Sequence, residues 1–185
     1  MTADAATALP PVLVLPGYGD SGPRHWQSRW EAADPTWRRV VQRDWVRPTL
    51  AEWLPALDHA IAGCERPPIL VGHSLGCMLV AHWARSARRP VAAALLVAPV
   101  DVEVVVLIDD NVASFTPVPL APLPFRSVVV ASTDDPYVSP ERAEAFARAW
   151  GSRFVSIGAA GHINADSGYG EWPEGRRLLD ELRER

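Results

Sequence analysis

Cysteine is scarce in this chain. Only Cys64 and Cys77 occur among 185 residues, with no C-x-x-C pair and no Cys/His cluster around either. That excludes a disulfide framework and a thiolate zinc site, and it leaves two reduced, packed thiols. An excess of basic charge is missing too: 18 Lys and Arg stand against 22 Asp and Glu, for a net charge of -4, with no basic block. A basic patch is the electrostatic footprint of nucleic-acid binding, so no nucleic-acid partner is expected. No stretch approaches the roughly 18 apolar residues of a membrane-spanning helix. The N-terminal MTADAATALPPVLVLPG lacks a basic region, and its apolar run is too short for a secretory leader. A cytoplasmic location without membrane association is the expectation. Internal repeats and low-complexity linkers are also lacking.

What is present is ordinary globular material, 48% hydrophobic and 22% charged. A chain of this length buries roughly 70% of its unfolded surface as one domain, here read as 1–185. Short apolar runs bounded by Gly or Pro alternate with helical patterns, the signature of strand-helix units around a parallel sheet. The runs are Val12 to Leu15, Arg38 to Arg43, Ile69 to Gly72, Ala92 to Ala98, Ser127 to Ser132 and Phe154 to Ile157. Several are apolar on both faces, as strands covered by helices on both sides must be. Ser74 to Ala87 places Leu75, Met78, Leu79, His82 and Trp83 on one stripe. Ser139 caps a helix that has Pro140 at its first position and closes at Gly151. Another helix starts at Pro173, with Leu178, Leu179 and Leu182 facing inward. Thr49 and Glu52 have capping-box spacing, but Pro55 removes a helix donor; a turn followed by a helix from about Pro55 to Ala62 is predicted. Asp101 to Pro124 begins apolar and acidic, ends proline-rich, and reads as an excursion between strands.

In ILVGHSLGCMLVAHW, Gly72, Ser74 and Gly76 form G-x-S-x-G between a strand and an amphipathic helix. That context makes Ser74 a candidate nucleophile on a strained turn, with helix N-terminal amides facing the oxygen on which charge develops. The plain alternative is a Gly-rich turn with an idle serine. Neither glycine pattern of a phosphate-binding loop occurs, which weighs against a nucleotide-binding module. A serine hydroxyl needs a base, and five histidines compete. His59 and His82 lie in helical segments. His73, inside the elbow, suits packing or a bond to a nearby strand. His162, in the loop GAAGH after the last strand, shares a sheet edge with Ser74. The loop after Ser127 to Ser132 brings Asp134 and Asp135 to that edge, and the chain order Ser, Asp, His is that of α/β-hydrolases. A carboxylate there would fix the tautomer of His162.

These residues resemble α/β-hydrolases, and more narrowly the small serine hydrolases of the YdeN and retinoblastoma-binding-protein-nine type. The matching blocks are VLVLPGYGDSGPRHWQSRW, VGHSLG, VVVASTDDPYVSPERAEAFARAWGSRF and GAAGHINADSGYGEWPEG. The resemblance implies a single-domain α/β-hydrolase with about six parallel strands, helices on both faces and a minimal lid over an open, shallow site. It implies Ser74 as nucleophile, His162 as base and, through a D-x-x-V pattern, Asp135 rather than Asp134 as orienter. It also implies backbone N–H groups of Tyr18 and Leu75 as oxyanion donors, although Pro16 stands where many relatives have His. Asp134 is then a turn residue bonding local backbone. Trp26 and Trp30 in the H-W block suit packing on the sheet better than a substrate wall, and Asn164 and Asp166 suit ordering of the His162 loop.

The expected activity is serine hydrolysis of a small acyl substrate, an ester with amide and thioester as alternatives, through an acyl-enzyme and without metal or organic cofactor. A monomer is the simplest expectation. The competing reading is a catalytically silent interaction module that uses Asp101 to Pro124 or the tryptophan-rich face.

Overall fold

The computed structural model describes residues 9–184. The leader-free reading of the N-terminus concerns in part residues 1–8, which lie outside this range. Among the described residues no helix is long and apolar enough to cross a membrane.

Six parallel strands form one sheet in the order β2-β1-β3-β4-β5-β6. They are β1 (Val12–Leu15), β2 (Arg38–Arg39), β3 (Ile69–His73), β4 (Ala93–Val97), β5 (Arg126–Ala131) and β6 (Arg153–Ser156). The helices are α1 (Trp26–Ala33), α2 (Leu50–Ala62), α3 (Leu75–Ala84), α4 (Val102–Val105), α5 (Pro140–Trp150) and α6 (Pro173–Arg183), with a 3₁₀ turn at Asp110–Phe115. This is the α/β-hydrolase architecture expected from the sequence.

Side chains alternate along each strand, so one strand feeds two cores. Leu13, Leu15, Leu70, Leu96 and Val129 join the core beneath α2, α3 and α5. Val12, Val14, Val71, Leu95 and Val128 join a second core with Trp26 and Trp30 of α1 and Leu179 of α6. The tryptophan-rich face is therefore interior: Trp26 is fully buried, and Trp30 and Trp172 stack there nearly parallel. A partner-binding role for that face has no exposed surface to use.

Four local expectations change. The helix α2 runs unbroken from Leu50, because burial of Trp53, Leu57 and Ile61 outweighs the donor that Pro55 lacks, and Pro55 lies on the exposed side. Thr49 and Glu52 bond each other side chain to side chain, at 3.2 Å, instead of making the backbone bonds of a capping box. The strand β2 stops at Arg39: Val40 still donates to Val14, and then Asp44 accepts the N–H groups of Val46 and Arg47 and turns the chain. Instead of one stripe, α3 is buried all round from Leu75 to Trp83, because the excursion covers the side that α2 and the sheet leave free.

The excursion is anchored at its base. The guanidinium of Arg142 on α5 holds Asp101 and Glu103, His82 donates to the Phe115 carbonyl at 2.8 Å, and Trp150 donates to that of Pro119 at 2.8 Å. Its tip is not covered: Leu107 and Ile108 are 80% and 84% exposed.

Candidate active site

Strand C-termini in a parallel sheet converge on one edge, and three of them carry the predicted side chains. Ser74 follows β3 with φ 53° and ψ -119°, a left-handed backbone at a non-glycine residue. The surrounding glycines permit that turn. A Cβ on Gly76 would lie 2.2 Å from the Leu15 carbonyl oxygen, and one on Gly17 would lie 2.9 Å from the Ser74 Cβ. The chain at the end of β1 is thereby pressed against the elbow.

The Ser74 Oγ lies 2.9 Å from His162 Nε2, and His162 Nδ1 lies 2.8 and 3.0 Å from the two Asp135 oxygens. An ionised carboxylate only accepts, so the imidazole proton resides on Nδ1 and Nε2 is left to accept from serine. The Asp135 side chain is fully buried, and its Oδ1 also accepts the Tyr137 N–H at 2.9 Å. The Tyr137 ring stands edge-on to the imidazole at 4.6 Å.

Asp134 does more than bond local backbone. Its Oδ1 accepts the Ser132 hydroxyl at 2.6 Å and reaches across to the N–H groups of Ala160 and Gly161 at 2.8 and 2.7 Å. These bonds, the Ser132 hydroxyl first, hold its carboxyl below the usual range. The His162 loop is gripped from its other side as well. His73 donates through Nε2 to the His162 carbonyl at 2.9 Å, and Trp26 donates through Nε1 to the Ile163 carbonyl at 2.8 Å. The packing expected of His73 is present, against the rings of His25, Trp26 and His162, and its hydrogen bond goes to the loop bearing the imidazole instead of to a strand. Gly161 and Ile163, on either side of His162, both have positive φ, at 53° and 48°. Asn164 orders the end of that loop by accepting from Ser167 N and Oγ, each at 3.0 Å.

Tyr18 and Leu75 line the same cavity as Ser74, and neither main-chain N–H has an acceptor among the described residues. Leu75 is the first residue of α3, where no helical acceptor exists. Gln27 is a participant the sequence did not announce. Fully buried, it donates to the carbonyls of Leu15 and Val71 at 3.2 and 3.0 Å and so ties the end of β1 to the middle of β3.

The cavity measures about 350 Å³. The excursion gives the expected shallow site a wall, contributing Val105, Ile108 and Val112 beside Val100 and Leu75, while His25 and Asn164 line it as well. Among the described residues no group of three or more His, Cys, Asp or Glu side chains is arranged to hold a metal ion. Cys77 is buried under Ser74, where desolvation pushes its thiol far above the usual range and makes it inert.

A family model described as serine hydrolase matches residues 12–181. Among solved structures, a YdeN-like hydrolase from Pectobacterium atrosepticum is 37% identical, with a TM-score of 0.84 over 94% of this chain and 90% of its own. The ydeN gene product of B. subtilis is 19% identical, with a TM-score of 0.75 over 94% of this chain and 98% of its own. A thermophilic esterase from Thermogutta terrifontis shares the fold at 20% identity, with a TM-score of 0.66 over 94% and 90% of the two chains. No curated protein matches the chain.

Proposed function

The chain belongs to the serine hydrolase family, and from that premise we propose that it is an esterase-like hydrolase that cleaves small acyl substrates through Ser74, His162 and Asp135. The observation that carries this reading is the 2.9 Å approach of Ser74 Oγ to an imidazole whose other nitrogen is occupied by a buried carboxylate. In that tautomer Nε2 takes the serine proton as Oγ attacks the carbonyl carbon. Negative charge then develops on the carbonyl oxygen, which the amides of Tyr18 and Leu75 receive. One such donor in a preorganised site is worth about 3 kcal/mol of barrier. Collapse of the tetrahedral species expels the leaving group, which takes the proton from His162 Nε2. Water, activated by the same imidazole, hydrolyses the acyl-enzyme and restores Ser74.

Supporting this over a silent interaction module, the groups the chemistry requires are all present and in contact, and the tryptophan face proposed for a partner is core. A fluorophosphonate probe tests the reading. The folded wild-type protein is expected to be labelled covalently, and Ser74→Ala is expected to lose all labelling. Absence of labelling of the folded wild type, or labelling that survives in Ser74→Ala, would refute it.

A further inference from the structure

The two halves of an acyl substrate cannot be interchanged in this site. The leaving-group oxygen must come within hydrogen-bond reach of His162 Nε2, which returns its proton, while the carbonyl oxygen points to the Tyr18 and Leu75 amides. The acyl substituent then extends from the carbonyl carbon on the side away from the imidazole loop. The fold gives these two sides different chemistry. The His162 loop sits over the α1 and α6 face, with Ala160 and Ile163 in the core there. The wall built from Leu75, Val100 and Val112 belongs to the opposite core, over α2, α3 and α5. Ser74 stands at the sheet edge between them.

The α3 side is apolar. Leu75, Val100, Val105, Ile108 and Val112 line it together with Asp109, whose Oδ1 is occupied by the Asn111 amides. The His162 side is polar. Asp20, His25 and Asn164 line the cavity there and continue into a second hollow of about 290 Å³ that Arg24 and Asp166 help to form. That side also carries a donor without an acceptor. His25 Nδ1 accepts the Gln27 N–H at 3.2 Å, which places the ring proton on Nε2. This Nε2 is buried without a partner among the described residues, in a side chain only 5% exposed. His25 lines both hollows, and a buried donor left unpaired is costly.

We propose that the substrate is an ester of a short- to medium-chain aliphatic acid with a polar, oxygen-bearing alcohol, its acyl chain on the Val100–Val105–Ile108–Val112 wall and its alcohol on the His25–Asn164 side. The inference rests on the hydrolytic reading of Ser74 and His162. A cavity of about 350 Å³ is at the small end of ligand sites, which limits the chain length it can enclose. Excess chain emerges over Ile108, which both lines the cavity and is 84% exposed.

The test uses p-nitrophenyl esters from acetate to dodecanoate, with labelling by a small ethyl fluorophosphonate measured alongside. Each methylene seated on the wall is expected to raise kcat/KM by about fourfold, up to hexanoate or octanoate, with a fall beyond. Val105→Trp and Ile108→Trp, at half-buried and exposed positions that tolerate bulk, are expected to cut hexanoate turnover by about tenfold or more. Acetate turnover and ethyl-fluorophosphonate labelling should fall far less than hexanoate turnover in both. With butanoate fixed as the acyl half, the glycerol ester is expected to be cleaved about fivefold faster than the butyl ester. A flat or acetate-favouring series on labelled enzyme, equal losses on acetate and hexanoate in both tryptophan variants, or preference for the butyl ester would overturn the assignment while leaving the serine mechanism standing. No labelling of the folded wild type would remove the mechanism and this inference together.

Discussion

The Oδ1 of Asp134 accepts the main-chain N–H of Gly161 at 2.7 Å, one residue before the imidazole that the neighbouring Asp135 holds through both oxygens. Two adjacent carboxylates therefore act on one histidine in different ways: Asp135 fixes its tautomer, and Asp134 fixes its loop. Asp135→Asn should present an amide to Nδ1, favour the wrong tautomer and lower kcat by up to about 10⁴-fold. Asp134→Asn keeps an acceptor oxygen and should cost far less. Asp134→Ala loses every bond to Ala160 and Gly161 and should lower kcat by up to about 10²-fold through misplacement of His162. Steady-state kinetics on the three variants checks the ranking. Equal losses from the two asparagine substitutions would show that the roles are divided wrongly.

The elbow glycines should differ sharply in tolerance. A Cβ at Gly76 would sit 2.2 Å from the Leu15 carbonyl oxygen, backbone against backbone, with no side chain able to move aside. At Gly72 the nearest atoms are 3.2 Å away. Gly76→Ala should therefore destabilise by about 3 kcal/mol or fail to fold, and Gly72→Ala by about 1 kcal/mol. Urea denaturation followed by fluorescence separates the two, and similar midpoints would contradict the close packing of the elbow against β1.

Trp26 offers a test of loop positioning from within the core. Trp26→Phe retains an aromatic ring in a fully buried place but removes the Nε1 donor to the Ile163 carbonyl. The loss should be about 1 kcal/mol of stability from the bond, more if the smaller ring leaves a void. A positioning effect predicts in addition that kcat falls while KM for a short ester stays near wild type. A drop in stability with unchanged kcat would assign Trp26 to packing alone.

Local rules reached the core of this molecule because its strands are short, apolar and closed by glycine or proline, and because Ser139, Pro140 and Gly151 punctuate α5 as isolated helix signals do. The convergence of Ser74, the Asp134–Asp135 pair and His162 followed from topology, because loops after parallel strands share an edge, whereas the choice of Asp135 over Asp134 came from the family resemblance. What stayed hidden depends on contacts between distant segments. The bonds from Asp134 to Gly161, from His73 to the His162 carbonyl and from Gln27 to Leu15 and Val71 span 27, 89, 12 and 44 residues. No residue type or spacing announces such bonds. Pro55 misled for a related reason: its cost is local, whereas the burial that outweighs it belongs to the whole α2 face.

The buried imidazoles make the stability of the fold depend on pH. Burial lowers His25 to about 4, with the nearby His162 and Arg39 charges acting in the same direction. Burial also drives His73 well below its ordinary value, reinforced by His162 and His25, and it lowers His82. Each stays neutral in the folded chain at a pH where the unfolded chain, with an ordinary value of 6.5, binds a proton. The unfolded state thus holds more protons below that value, and stability must fall as the pH drops. For a depressed group the contribution is complete above the unfolded value and is lost on descending toward the folded one. For His25 that window runs from 6.5 to about 4, a total of about 3 kcal/mol. Unfolding free energy measured in urea at pH 7.5, 6, 5 and 4.5 should decline through this range. In His25→Phe the slope should shrink by one proton's worth, about 1.4 kcal/mol per pH unit, whatever the variant's absolute stability. An unchanged slope would mean that His25 takes up no proton on unfolding, and its burial as a neutral donor would have to be abandoned.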